Sequence, residues 1–374
     1  MKARKYDLNI SICLLLFFVI SLASVYSART ISSSSLGNIF IKQLIFYIVG
    51  SIILICSYRF KDMIIKYRYL WYIGLNVLLL FLLLFGISVN GSKCWIFLGP
   101  VSFQPSEFMK LSLIIIIASL LANTKKNMNM NMKMKMKDEF KLLLKIGVIT
   151  FVPSVLTFLE PDTGVVIIYL IIMIVMVISH GINKKWYLLV SILLALLASS
   201  ILVLYFIDNE LLMKLLGDNI FYRMDRILNW SNQNGYQLEN SLVAIGSSGL
   251  TGFGFNNTPL YFPESSTDFI FTTFSSNFGF MGSIVLILGI IVFDVTILNM
   301  CKQKINKQDK YILIGICAMI FYQQVQNISM TIGLLPITGI TLPFISYGGS
   351  SLLSYMFISG ILLRIMVDEK RYMN

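Results

Sequence analysis

Residues 162–180 read Asp-Thr-Gly-Val-Val-Ile-Ile-Tyr-Leu-Ile-Ile-Met-Ile-Val-Met-Val-Ile-Ser-His, with one carboxylate at the head and no other charge before the closing histidine. A hydrocarbon core roughly 30 Å thick needs about 20 apolar residues rising 1.5 Å each, so this run has the length of a membrane span. Lipid offers no partner to a backbone N–H or C=O, and a run that satisfies these groups internally is helical. A membrane-spanning strand would instead alternate apolar with polar residues, which this run does not do. Runs of the same kind recur, and spans are expected at about 7–26, 39–58, 69–89, 107–123, 143–160, 162–180, 186–207, 270–299, 310–335 and 345–367. The expected fold class is all-α: one polytopic membrane domain over residues 1–374, with about ten transmembrane helices.

Composition agrees. Apolar residues make up 57% of the chain and charged residues 13%, and mean hydropathy is +0.79. A soluble domain carries roughly 25% charged residues, so a soluble helical protein with buried hairpins is the poorer reading. The first span follows Met1-Lys-Ala-Arg-Lys5 without a small-residue cleavage site, and is expected to be an uncleaved anchor rather than a signal peptide.

The basic residues are asymmetric. With the N-terminus inside, twenty-three Lys and Arg fall on one side, including Arg59, Lys61, Lys66, Arg68 and the lysines from Lys125 to Lys145, against five on the other. Cytoplasmic loops keep the basic excess, so both termini are expected in the cytoplasm. The net charge of +12 then reflects topology and attraction to anionic membrane lipid, and no nucleic-acid partner is needed to explain it. Residues 124–142, with their alternating Asn-Met and Lys-Met, read as a flexible cytoplasmic loop. The five cysteines lack paired spacing, and His180 has no nucleophile to serve, so neither disulfides, a metal cluster nor a Ser/His or Cys/His centre is indicated.

Three outer segments depart from connector composition. In the first, residues 90–110, Glu107 and Lys110 stand one turn apart at the mouth of a span, where they either pair with each other or meet a ligand. The second is a long outer loop at 208–269. Its part from Leu211 to Trp230 carries Leu215, Leu216, Ile220, Met224, Ile227 and Leu228 around Arg223 and Arg226, the pattern of an amphipathic helix on the outer leaflet. It closes on Tyr261-Phe-Pro-Glu-Ser-Ser-Thr-Asp-Phe-Ile-Phe271; if this end is helical, Glu264 and Asp268 share a face, and the alternative is that Thr267 or Asp268 caps the following helix. The third, residues 327–351, holds Pro336, Gly339, Pro343, Gly348 and Gly349 and cannot continue one straight helix. Broken backbone at membrane depth survives only against protein or a polar cavity, so a cavity lined by backbone and by hydroxyls such as Ser346, Tyr347 and Ser350 is expected.

These segments resemble, in order, motifs of the RodA/FtsW/SpoVE-like SEDS family of shape, elongation, division and sporulation proteins. The matching stretches are Asn90-Gly, Trp95-Ile, Leu98-Gly, Phe103-Gln-Pro-Ser-Glu-Phe-Met-Lys110, Glu160-Pro-Asp-Thr-Gly164, Arg226-Ile-Leu, Gly235-Tyr-Gln, Ser241-Leu-Val-Ala-Ile-Gly246, Pro263-Glu, Thr267-Asp-Phe-Ile-Phe271 and the whole of 327–351. The resemblance implies a peptidoglycan glycosyltransferase of cell-wall synthesis that polymerises lipid II outside the cytoplasmic membrane, beside a class B penicillin-binding protein. It assigns Asp268 as general base, taking the proton of the attacking sugar hydroxyl while undecaprenyl pyrophosphate leaves. Lys93, Lys110, Arg223 and Arg226 are the expected cations for the pyrophosphate, with a divalent cation as the alternative and no cofactor otherwise required. Glu107, Glu264 and Thr267 complete the expected substrate contacts. Cys94, Phe253, Ser266, Ser276 and Asn277 stand where relatives carry other, mostly charged or polar, residues. A flippase for lipid-linked sugars and a non-catalytic scaffold for the penicillin-binding protein are the competing functions.

Overall fold

A computed structural model of the chain describes residues 2–31, 39–87, 92–98, 101–124, 135–207, 236–303 and 306–373. It is a helical bundle. Its helices are α1 (Lys2–Ile31), α2 (Ile39–Arg59), a short α3 (Lys61–Lys66), α4 (Arg68–Phe85), α5 (Pro105–Ala122), α6 (Met136–Leu159), α7 (Thr163–His180), α8 (Lys184–Ile207), α9 (Tyr236–Ser247), α10 (Ile270–Cys301), α11 (Lys307–Thr331) and α12 (Gly349–Met373). Among the described residues nine helices are long and apolar enough to cross a membrane. Helix α8 occupies the place of the expected span at 186–207.

Helix α5 lies at the centre. Its residues from Met109 to Ala118 are all buried, packed by α4, α7, α11, α6 and α12. On the other flank α2 lies along α12, and α1 along α10. The outward faces carry exposed Leu, Ile, Val and Phe, as on α10 at Phe280, Val285, Leu288 and Val292, which is the surface lipid requires. Helix α6 begins at Met136, so the last residues of the loop expected at 124–142 are helical. Asp138 and Glu139 occupy the first turn, where negative charge suits the helix N-terminus, and Trp186 Nε1 donates to Glu139 at 3.1 Å.

Helix α10 is broken at Gly279, whose φ of 64° and ψ of −161° are not helical. The loop after α9 fills the break. Phe253 and Gly254 donate to the carbonyls of Ser276 and Asn277 at 2.9 and 3.1 Å, and Phe280 and Met281 donate to Gly249 and Leu250 at 3.0 and 3.1 Å. A Cβ on Gly279 would fall 2.3 Å from Gly252 N, so both positions require glycine. The bonds that the kink removes from the helix are thus remade with the loop.

After α11 the chain leaves helix at Thr331 and regains it at Gly349, as the prolines and glycines of that segment predict. Its carbonyls are taken by α1 and α2: Tyr47 Oη donates to Phe344 at 2.5 Å, Ser21 to Ile345 at 2.8 Å and Gln43 to Ser346 at 3.3 Å. At the other end of the bundle, buried Lys61 pairs with Asp309 at 3.1 Å and Asp368 at 2.7 Å, tying α3 to the start of α11 and the end of α12.

Candidate active site

The helices leave a cavity of about 540 Å³ at the end where α2, α5, α7, α10 and α12 begin. Four carboxylates line it, Glu107, Asp162, Glu264 and Asp268, together with Gln104, Gln323, Thr338, Thr341, Tyr347 and Ser350. A second cavity of about 530 Å³ is lined almost wholly by apolar side chains such as Ile53, Phe60, Trp71 and Phe357 and by no carboxylate.

Asp268 stands on the turn that leads into α10. This turn is not helical, so the condition under which Glu264 and Asp268 would share a helix face is not met. Glu264 sits at φ 54°, a left-handed conformation costly for a side chain with a Cβ. Its carbonyl accepts Thr267 N at 3.2 Å and Phe269 N at 3.0 Å, and its carboxylate accepts Thr267 Oγ1 at 2.6 Å. The N-cap of α10 is Phe269, with no side-chain cap. Asp268 is thereby free of capping duty, and among the described residues no side chain hydrogen-bonds to its carboxylate. Gly339 lies opposite in a left-handed turn (φ 71°), and a Cβ there would stand 3.6 Å from Asp268 Oδ2. Burial first, and then the neighbouring Glu264 carboxylate, raise the Asp268 pKa to about 7.

Asp162 forms the facing wall. It caps α7 by accepting Val165 N at 3.3 Å, and it accepts Gln104 Nε2 at 2.8 Å and Ser106 Oγ at 3.4 Å. Burial pushes its pKa up to about 6, with the Val165 N–H acting against the shift. Behind it, Glu160 has no exposed surface and neither carboxyl oxygen finds a partner. Burial, and then Asp162, raise its pKa to about 8, which favours the neutral acid. The Cys94 thiol donates to the Glu160 carbonyl at 3.0 Å. Gly164 lets α7 approach the broken segment, since a Cβ there would meet Thr338 O at 2.9 Å.

The other expected residues divide. Glu107 lines the cavity and pairs with Lys110 at 2.8 Å. Lys110 itself is fully buried beneath it, over the Tyr355 ring, and is not part of the lining. Lys93 is half-buried next to the lining residues Ser92 and Cys94. Tyr347, Ser350 and Thr267 line the cavity. Ser350 also accepts Gln104 N at 2.8 Å and donates to Ser102 O at 3.1 Å, which fastens the hairpin of β1 (Ile96–Leu98) and β2 (Val101–Phe103) to α12. Ser346 is buried, accepting Leu342 N at 2.9 Å and donating to Thr267 O at 2.6 Å. Arg223, Arg226 and the amphipathic helix expected at 211–230 lie outside the described residues.

Among the polar lining residues that sequence reasoning passed over are Lys42, Gln104, Asp162 and Gln323. Lys42 is the one lysine or arginine in the lining among the described residues. Asp162 and Gln104 stood inside quoted motifs, but a motif does not say which member faces a cavity. Of the five departures from the family pattern, only Cys94 lines it; Phe253, Ser276 and Asn277 belong to the α10 kink. Asn277 there donates to Ser27 at 2.6 Å and accepts Thr258 at 3.2 Å. Among the described residues no three His, Cys, Asp or Glu side chains converge as metal ligands, so they present no preformed metal site.

A helical membrane bundle opening at one end into a carboxylate-lined cavity is the class these features define. The model of the FtsW/RodA/SpoVE cell cycle protein family matches residues 7–371, and the chain belongs to that family. It is 33% identical to the "probable peptidoglycan glycosyltransferase FtsW" of Coxiella burnetii, across 98% of this chain and 97% of the relative. Stage V sporulation protein E of Bacillus subtilis is 31% identical, with 97% and 98% covered. Among solved structures, a chain of a peptidoglycan synthase complex that coordinates polymerization and crosslinking superposes with a TM-score of 0.75, at 22% identity and with 98% and 97% covered. At that identity the likeness speaks for the fold.

Proposed function

We propose that this chain is a peptidoglycan glycosyltransferase that polymerises lipid II at the outer face of the cytoplasmic membrane, with Asp268 as the general base. The observation that carries this reading is the placement of Asp268: an uncapped carboxylate on a cavity wall, with a pKa near 7, the range in which a base both is ionised and accepts a proton readily. The names of the relatives and the asymmetry of basic residues, which argues for a cavity on the outer side, support it.

In the reaction, the sugar hydroxyl of one lipid-linked chain attacks the anomeric carbon of another. The new glycosidic bond forms as the bond from that carbon to the phosphate oxygen breaks, undecaprenyl pyrophosphate departs with the electron pair, and Asp268 takes the hydroxyl proton. Because the leaving group is already a good one, a second acidic carboxyl of the glycosidase kind is not obligatory. Lys42 is the cation placed to meet the pyrophosphate, with Lys93 beside the cavity; Lys110 acts by holding Glu107. Glu264, Thr267, Tyr347 and Ser350 line the space for the sugars, and Arg223 and Arg226 remain candidates for the lipid-linked phosphates. A class B penicillin-binding protein is the expected partner, supplying the crosslinking step.

The test is polymerisation of fluorescent lipid II by the purified chain with its transpeptidase partner, against Asp268→Ala. Glycan strands are expected from the native protein and none from the variant. Translocation of lipid II across vesicles without polymerisation would instead identify a flippase.

A further inference from the structure

We infer that Asn327 is a positioning residue for the polymerisation reaction, a two-handed clamp that fixes the Asp268 turn against the broken segment across the cavity. The inference rests on the reading of Asp268 as base.

Asn327 lies near the end of α11 and has no exposed surface. Its Nδ2 donates to Asp268 O at 2.9 Å and to Ile340 O at 2.8 Å. One amide thus spends both hydrogens on the two cavity walls, the turn that carries Asp268 and the segment that carries Gly339. It is the last of three bonds to successive carbonyls. Tyr347 N donates to Ser266 O at 2.8 Å, Ser346 Oγ to Thr267 O at 2.6 Å and Asn327 to Asp268 O. The turn needs such restraint, because it is non-helical, includes Glu264 at φ 54° and begins the following helix without a side-chain cap. Among the described residues no side chain hydrogen-bonds the Asp268 carboxylate, by contrast, so its place relative to Gly339 is set through the backbone. A buried amide whose donors reach two separate elements has no isosteric substitute: aspartate keeps the shape and loses both donors, and leaves the two carbonyls unsatisfied in a buried site. Misplacing a reacting group by about 1 Å can cost on the order of 10²-fold in rate.

The experiment compares Asn327→Asp, Asn327→Leu and Ser346→Ala with the native full chain, each purified with its partner. It reads kcat, KM for lipid II and the pH profile of kcat. For both Asn327 variants kcat should fall by roughly tenfold or more while KM stays within about threefold, since the cavity's sugar-facing side chains are untouched. In Asn327→Leu the acidic limb of the profile should also move to lower pH, because a loosened turn lets water reach Asp268 and relieves its burial beside Glu264. A merely structural defect lowers the amplitude by the misfolded fraction and leaves that midpoint in place, and this outcome overturns the proposal. A native kcat in a monodisperse Asn327→Asp protein overturns it too. Should neither Asn327 variant fold, Ser346→Ala decides, because it loosens the same turn one residue earlier: a lowered kcat with a shifted midpoint supports the clamp, and a native profile refutes it. Asp268→Asn, run alongside, separates the two readings. Activity in that variant removes the base assignment, whereas its loss together with native kinetics at Asn327 removes only the clamp.

Discussion

Replacing Lys110 by methionine should destabilise the protein far more than removing both members of its ion pair. Lys110 is fully buried and its ammonium lies 2.8 Å from Glu107 Oε2. At an effective dielectric near 20, two unit charges at that separation attract by about 6 kcal/mol, which desolvation of both groups largely offsets. Lys110→Met forfeits the attraction and keeps the burden, a bare Glu107 carboxylate whose other partner among the described residues is Ser354 Oγ at 3.4 Å. Breaking a buried pair in this way costs about 3–5 kcal/mol. Glu107→Gln together with Lys110→Met removes both charges and retains an acceptor for Ser354, so at least half of that loss should return. A double-mutant cycle on reversible unfolding in mixed detergent micelles reads the difference. A Lys110→Met protein as stable as the native one, or a double variant no more stable than the single, would refute the reasoning.

Four other outcomes follow from the cavity. Asp268 must be ionised to act as a base, and its pKa is raised to about 7, so the polymerisation rate should fall as pH drops through about 7. Glu264→Gln removes one of the two causes and should move that limb to lower pH; an unmoved limb would separate the two carboxylates. Gly339→Ala puts a side chain at φ 71° with its methyl 3.6 Å from Asp268 Oδ2, a conformation that costs about 1–2 kcal/mol, and kcat should drop roughly tenfold, whereas an unchanged kcat would mean the segment does not set the base. Gly164→Val drives its Cβ to 2.9 Å from Thr338 O, and unfolding should show about 1–3 kcal/mol of lost stability.

The spans were legible because lipid enforces a simple rule, a continuous apolar run of fixed length, and 162–180 met it almost residue for residue in α7. The broken segment was legible for the converse reason: Pro336, Gly339 and Pro343 follow one another too closely for one straight helix to run through them. The break in α10 was not, since Phe278-Gly-Phe280 sits in an apolar run that glycine alone does not end. Its cause lies some thirty residues away, in the loop that supplies the missing backbone partners. Glu264 and Asp268 stood out as carboxylates four residues apart, but whether they share a helix face could not be read, because the turn holding them is shaped by Ser346, Tyr347 and Asn327 from distant parts of the chain. Lys110 showed a similar limit. Its spacing from Glu107 announced the pair, but only the packing of α5 at the centre of the bundle reveals that the lysine lies beneath the cavity rather than in it.

The central claim is that Asp268 removes the proton of the attacking hydroxyl. It is tested most directly by the rate of lipid II polymerisation at pH 8 by Asp268→Asn, which keeps the shape of the side chain and discards its basicity, in a folded complex with the transpeptidase partner. A loss on the order of 10²–10⁴-fold with lipid II still bound is the predicted result, and polymerisation at close to the native rate would contradict it.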